Sequence, residues 1–162
     1  MALSYDFQLA AALTVPEAGR RILGIARDLG VFAPSESVGR LLGDGAVTAR
    51  GTWVRAVPAG RLPWGDPLIG GAAFAPTVSV AFRLDKDADI SEQQDDMVRV
   101  VAGVLSAVPG DAALHLDFED VWLLRLGGEL TLSERSDVWP AERLAAVPPP
   151  FGRRTHEFDF GD

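Results

Sequence analysis

The densest chemistry in the sequence is the run Arg83-Leu84-Asp85-Lys86-Asp87-Ala88-Asp89-Ile90-Ser91-Glu92-Gln93-Gln94-Asp95-Asp96, where six acids stand against Arg83 and Lys86. Such a run could ligate a hard cation, supply catalytic carboxylates, present an acidic surface or start a helix. Asp85, Asp87 and Asp89 have the one-three-five spacing of a calcium-binding loop, with Asp96 at its twelfth position. The sixth position, however, is Ile90, where the sharp turn needs glycine. The twelfth is an aspartate, shorter than the bidentate glutamate, and the preceding residues read as strand, not helix. A helix start explains more of the run. Ser91-Glu92-Gln93-Gln94 has the form of a capping box, and Glu92, Asp95 and Asp96 fall in the first turn, where the macrodipole favours negative charge. That geometry leaves the carboxylates open to a partner.

A second acidic group, Asp117, Glu119 and Asp120, falls at a turn between two strands. A paired-carboxylate hydrolase would need two acids held across a cleft with pKa values pushed apart, and the simpler reading is a solvated turn. His115 and His156 are the only histidines. They lie far apart and in no ligand series, which argues against a dedicated metal site, and His115 reads as an outward residue, solvent-facing or sheet-packing. No serine sits in a GxSxG elbow, and Ser79 and Ser106 fall within a strand and a helix. Neither GxGxxG nor a P-loop occurs. The four tryptophans are not interleaved with basic residues as a nucleic-acid platform requires. Trp53 and Trp122 read as core or sheet residues, Trp64 and Trp139 as loop anchors.

The elements that must position these residues follow from periodicity. Leu3, Tyr5, Phe7 and Leu9 alternate with polar residues as a half-buried strand does. Thr14-Val15-Pro16-Glu17 predicts a capping box, Ile22, Ile25, Ala26 and Leu29 follow at helical spacing, and Gly30 suits a left-handed stop. Residues 45 to 57 predict a strand around Trp53 and Val54, with Gly51 marking a bulge. Thr77 to Leu84 alternates again. Ser91 to Val108 carries a helical stripe of Met97, Val101, Val104, Leu105 and Val108, ended by Pro109-Gly110. Leu114, Leu116 and Phe118 form a strand, and Trp122, Leu124 and Leu126 lead through Gly127-Gly128 into a hairpin. A short helix is expected around Ala141 to Ala146.

This order predicts an α+β fold in a single domain, a mainly antiparallel sheet with two principal helices packed on one face. The domain spans residues 1–152, with 58–76 a Pro/Gly-rich ordered loop or insertion. Residues 153–162 form a flexible C-terminal tail, frayed or draped. Its length suits one packed core, and 48% apolar with 23% charged residues is ordinary globular composition. A net charge of −8 disfavours nucleic acid or an anionic membrane as partner and favours a basic one. The absence of cysteine removes thiolate chemistry and fits a reducing cytoplasm. The first residues lack a basic n-region, and the apolar run from Leu68 to Phe82 is broken by Pro76 and too short to span a bilayer, so a cytoplasmic protein is expected.

The residues from Val78-Ser79-Val80-Ala81-Phe82-Arg83-Leu84-Asp85-Lys86 onward carry a family likeness. So do the helix containing Met97, Pro109-Gly110-Asp111-Ala112, Val121-Trp122-Leu123-Leu124-Arg125, Gly128-Glu129-Leu130, Trp139, Arg143-Leu144, Val147-Pro148 and Pro150-Phe151. With the opening Leu3-Ser4-Tyr5-Asp6-Phe7, they resemble SitI-type immunity proteins of the third subgroup, which belong to swarming-inhibition toxin/immunity systems. The resemblance implies a cytoplasmic, non-catalytic protein that neutralises a cognate toxin by occlusion, without a cofactor. On that reading Asp85, Asp87, Asp95, Asp96, Asp117, Glu119 and Asp120 form an acidic contact surface for a basic toxin, with Trp64 as its hydrophobic anchor. The alternative is a small-molecule-binding or regulatory domain, dimeric through its sheet, with Arg61, Trp64 and Asp66 in a lid. A hydrolase using acids with His115 or His156 is a further alternative.

Overall fold

The computed structural model of the chain describes residues 3–60 and 65–160. The opening alternation forms strand β1 (Ser4–Ala10), with Tyr5, Phe7 and Leu9 buried. Helix α1 (Val15–Asp28) begins with the reciprocal box that the sequence predicts. The Glu17 amide donates to Thr14 Oγ1 at 3.2 Å, and the Thr14 amide donates to Glu17 Oε1 at 3.3 Å. A short helix α2 (Val38–Leu42) is capped by Ser37. The single strand expected over 45 to 57 is instead a hairpin of β2 (Ala46–Val47) and β3 (Trp53–Pro58), and Gly51 lies in its turn, not in a bulge. Within the Pro/Gly-rich segment, β4 (Leu68–Ile69) and β5 (Ala72–Ala73) make a second, very short hairpin.

Strand β6 (Val78–Arg83) then leads to helix α3 (Ile90–Ala107). Strands β7 (Asp111–Leu116), β8 (Asp120–Leu126) and β9 (Glu129–Leu132) form the expected meander. Gly127 and Gly128, at φ of +56° and +83°, close the β8–β9 turn, where the twist of a tight hairpin calls for positive φ at both positions. Helix α4 (Ala141–Leu144) and two-residue strands β10 (Gly152–Arg153) and β11 (Phe158–Asp159) complete the chain.

The main sheet has the order β10-β9-β8-β7-β1-β6-β3-β2, antiparallel except for the β10–β9 pair, and β11-β4-β5 form a small separate sheet. The two long helices pack together on one face of the main sheet. Gly103 of α3 permits their close approach, because a Cβ there would stand 2.6 Å from the Ile25 side chain of α1. Tyr5, Phe7, Leu9, Val54, Val80, Phe82, Ala112 and Leu114 supply the sheet side of this core. In β8 a bulge at Trp122 places Trp122 and Leu123 together on the helix side. Trp139, expected as a loop anchor, is a core residue. It is 2% exposed, and its indole donates to the Trp122 carbonyl at 2.9 Å.

The opposite face carries a smaller core of Ile69, Phe74, Ala113, Val121 and Leu124, covered by the small sheet. The C-terminal segment is draped: β10 pairs with β9, and Phe158 pairs with Ile69. Helix α3 ends against Arg125, whose guanidinium donates to the carbonyls of Leu105, Val108 and Gly110 at 2.6–2.7 Å and so satisfies acceptors the helix end leaves unpaired. Among the described residues no helix is long and apolar enough to cross a membrane.

Candidate functional site

Sheet topology gathers the two acidic segments. β6 and β7 both run antiparallel to β1 on its two sides, with Ser4 opposite Arg83 and Tyr5 opposite Leu116. The loop from β6 into α3 and the turn from β7 into β8 therefore leave the same end of the sheet. Two strand spacings separate them, on the order of 10 Å. Residues remote in sequence become one acidic end of the molecule.

The individual acids differ in what already holds them. Asp89 caps α3, accepting from the Glu92 amide at 2.9 Å, so the helix starts before Ser91 and the capping box expected at Ser91-Gln94 does not form. Asp89 is extended in backbone and as strong a cap as serine. Ser91 instead accepts from Arg143. Asp95 pairs with Arg143 at 2.8 Å, Asp96 with Arg50 at 3.1 Å and Arg99 at 3.3 Å, and Asp120 with Arg135 at 2.8 Å. Asp85 accepts from the Asp87 amide at 2.9 Å. Among the described residues, Asp85, Asp87, Asp117 and Glu119 form no ion pair, and the last three are exposed. Trp64 and Arg61 lie outside the described residues. Asp66 is exposed on the same segment.

Beneath this end two buried polar anchors fix the β6–α3 loop. The fully buried Gln93 accepts from the Asp85 amide and the Thr52 hydroxyl, both at 2.8 Å, and donates to the Asp85 carbonyl at 2.9 Å. Arg143 is 4% exposed. It stacks over Trp122 at 5.4 Å and donates to Asp95, the Val138 carbonyl, Ser91 and Gln94. Gln94 in turn donates to Tyr5 Oη at 2.9 Å. Buried polar groups satisfied this fully make for a rigid platform. Burial raises the Tyr5 phenol above its ordinary value despite that bond.

On the face away from the helices, alternation alone would expose Gln8 and His115, yet both are buried. Phe118 of the β7–β8 turn and Phe158 of the draped tail cover His115, and the Pro/Gly-rich segment around Phe74 lies beside Gln8. The Phe118 amide donates to His115 Nδ1 at 3.0 Å, so Nε2 carries the proton and donates to Gln8 Oε1 at 3.0 Å. Burial lowers this imidazole to about 4, leaving it neutral. Both nitrogens are taken by non-acidic partners, so His115 has no carboxylate to act with. His156 packs instead against Thr131, Nε2 to Oγ1 3.0 Å, and its pKa is lowered by burial and then by Arg154.

The β7–β8 turn holds Asp117 and Phe118 at φ of +51° and +59°, unusual for residues with a Cβ. The Phe118 ring lies 4.4 Å from His115, 5.1 Å from Phe158 and 5.8 Å from Phe160. Nearby, Asp6 is held above the usual carboxylate value by burial and then by the charge of Asp117. Among the described residues no group of three or more His, Asp or Glu is arranged to hold a metal. A groove of about 590 Å³ between α1, α3 and the segment around α4 is lined chiefly by apolar side chains, including Ile25, Leu29, Ala102 and Pro148, with Arg99, which pairs with Asp96, at its edge.

Sequence reasoning located the acids but missed Arg143, Gln93, Phe118, Phe158 and Phe160. The alternating Phe158-Asp159-Phe160 in a polar tail was the available signal for a short strand with one apolar side. Gln93 gave none, since a lone polar residue on a helix reads as solvent-facing, and Arg143 entered only through the family likeness. The SitI3-like family matches residues 3–143 of the chain. No curated protein and no solved structure gives a match.

Proposed function

The chain belongs to the SitI3-like family, and from that premise we propose that it is a cytoplasmic immunity protein that binds and neutralises a cognate protein toxin by occlusion, without catalysis. The observation that carries the contact surface is the convergence of the β6–α3 loop and the β7–β8 turn at one end of the sheet. Asp85, Asp87, Asp117 and Glu119 form the part of it that meets a basic partner, because they have no arginine of their own to release. Asp95, Asp96 and Asp120 serve first to fix the platform through their ion pairs, and contribute field more than direct contact. Support for occlusion over catalysis comes from His115, whose two nitrogens are committed within the fold.

The reading is tested by co-expressing the chain with a toxin-like open reading frame neighbouring its gene. Protection from growth arrest and co-purification of a stable complex are expected. A toxin that stays lethal and does not co-purify contradicts the proposal.

A further inference from the structure

The acidic end also carries an aromatic surface. Phe118, Phe158 and Phe160 contact one another at ring distances of 5.1, 5.8 and 6.0 Å, and the first two pack on the buried His115 ring. Phe118 and Phe158 are partly exposed, and Phe160 is 39% exposed, one of few large apolar side chains so open. The exposed carboxylates of Asp117 and Glu119 flank Phe118 in the chain, and the Asp6 carboxyl is raised by burial first and then by the charge of Asp117.

We propose that this Phe118–Phe158–Phe160 surface is the anchoring part of the toxin contact and receives an arginine side chain of the partner. The argument is charge complementarity. Phenyl faces are electron-rich and attract a cation, and carboxylates beside them add a second attraction of the same sign. A guanidinium is planar, weakly hydrated and able to stack while its edge donates to carboxylates, whereas an ammonium is compact and strongly hydrated. Apolar rings with the carboxylates of Asp117 and Glu119 beside Phe118 therefore select arginine over lysine and over an uncharged apolar group. The surface rests on the immunity reading for the identity of the partner.

The test titrates the full chain with an oligo-arginine peptide and a length-matched oligo-lysine peptide. The arginine peptide is expected to bind about threefold more tightly. Phe160→Ala and, separately, Phe118→Leu, which keeps apolar bulk over His115, should abolish that preference. Asp117→Asn with Glu119→Gln should weaken both peptides. Equal binding of the two peptides, unchanged by Phe160→Ala, overturns the proposal, as does self-association of the chain that Phe160→Ala disperses. Arginine preference in a chain that fails to protect against its toxin would sink the immunity reading and leave the surface standing. Full protection by both phenylalanine variants would remove the surface from the toxin contact and leave the immunity reading intact.

Discussion

The two faces of the main sheet are built on different terms. Under α1 and α3 the covering is continuous and apolar, and its residues can be read from their spacing: Tyr5, Phe7 and Leu9 on β1 meet helical stripes of Ile22 and Ala26 or of Met97, Val101 and Val104. The other face is covered by two-residue strands and a draped tail, buries Gln8 and His115, and ends in exposed rings and unpaired acids. The first face holds the stability of the domain, and on the proposed reading the second is the one a partner grips, where fewer apolar contacts constrain the structure.

That division can be broken at its strong side first. Phe7, 1% exposed in the centre of the helix-side core, should lose about 3–5 kcal/mol on Phe7→Ala. Chemical denaturation reads this directly. A loss no larger than that of Phe160→Ala would erase the distinction between the faces.

The second face should be the more sensitive to mild acid. Burial holds His115 at about 4 in the fold against 6.5 in the unfolded chain, so the unfolded state binds more protons between those values. Its contribution is complete above pH 6.5 and is lost as pH falls toward 4, by about 3 kcal/mol at most. Asp6 works in the other direction: its raised carboxyl favours the fold as pH falls toward its folded value. Thermal melts at neutral and mildly acidic pH should show wild type losing stability on acidification and His115→Gln losing less. Equal losses would place the acid sensitivity elsewhere.

A smaller effect is expected at the hairpin turn. Gly128→Ala, at φ of +83°, should cost about 1 kcal/mol through backbone strain. Open space around that position leaves no clash to add to it. Smaller still, neutralising Asp87 or Glu119 should move stability by no more than about 0.5 kcal/mol, since both are exposed and unpaired. A larger loss on either would make the acids structural.

The sheet, the long helices and the glycine hairpin were legible because each shows enough repeats of its period to outvote other readings. The Thr14 box was legible because both of its partners are local. What escaped depends on contacts remote in sequence. Gln8 and His115 alternate like surface residues, and segments remote in sequence, among them the tail over His115, make them interior. The two-residue strands at 68–73 and 152–153 are too short to show a period, and Phe158-Asp159-Phe160 offers only a single alternation. At the acidic run, Asp89 and Ser91 were both sound caps, and Gln93, anchored to Asp85 and Thr52, sets the helix start. Composition located the charged surface, but not which acids were already paired, because Arg50, Arg135 and Arg143 come from other parts of the chain.

The most direct test of recognition at the acidic end is the association rate with the cognate toxin when Asp85, Asp87, Asp117 and Glu119 are changed to lysine together, read across ionic strength. The rate should fall by about tenfold or more at low salt and lose most of its salt dependence, with the fold unchanged. A rate and salt dependence equal to those of the unaltered chain would contradict it.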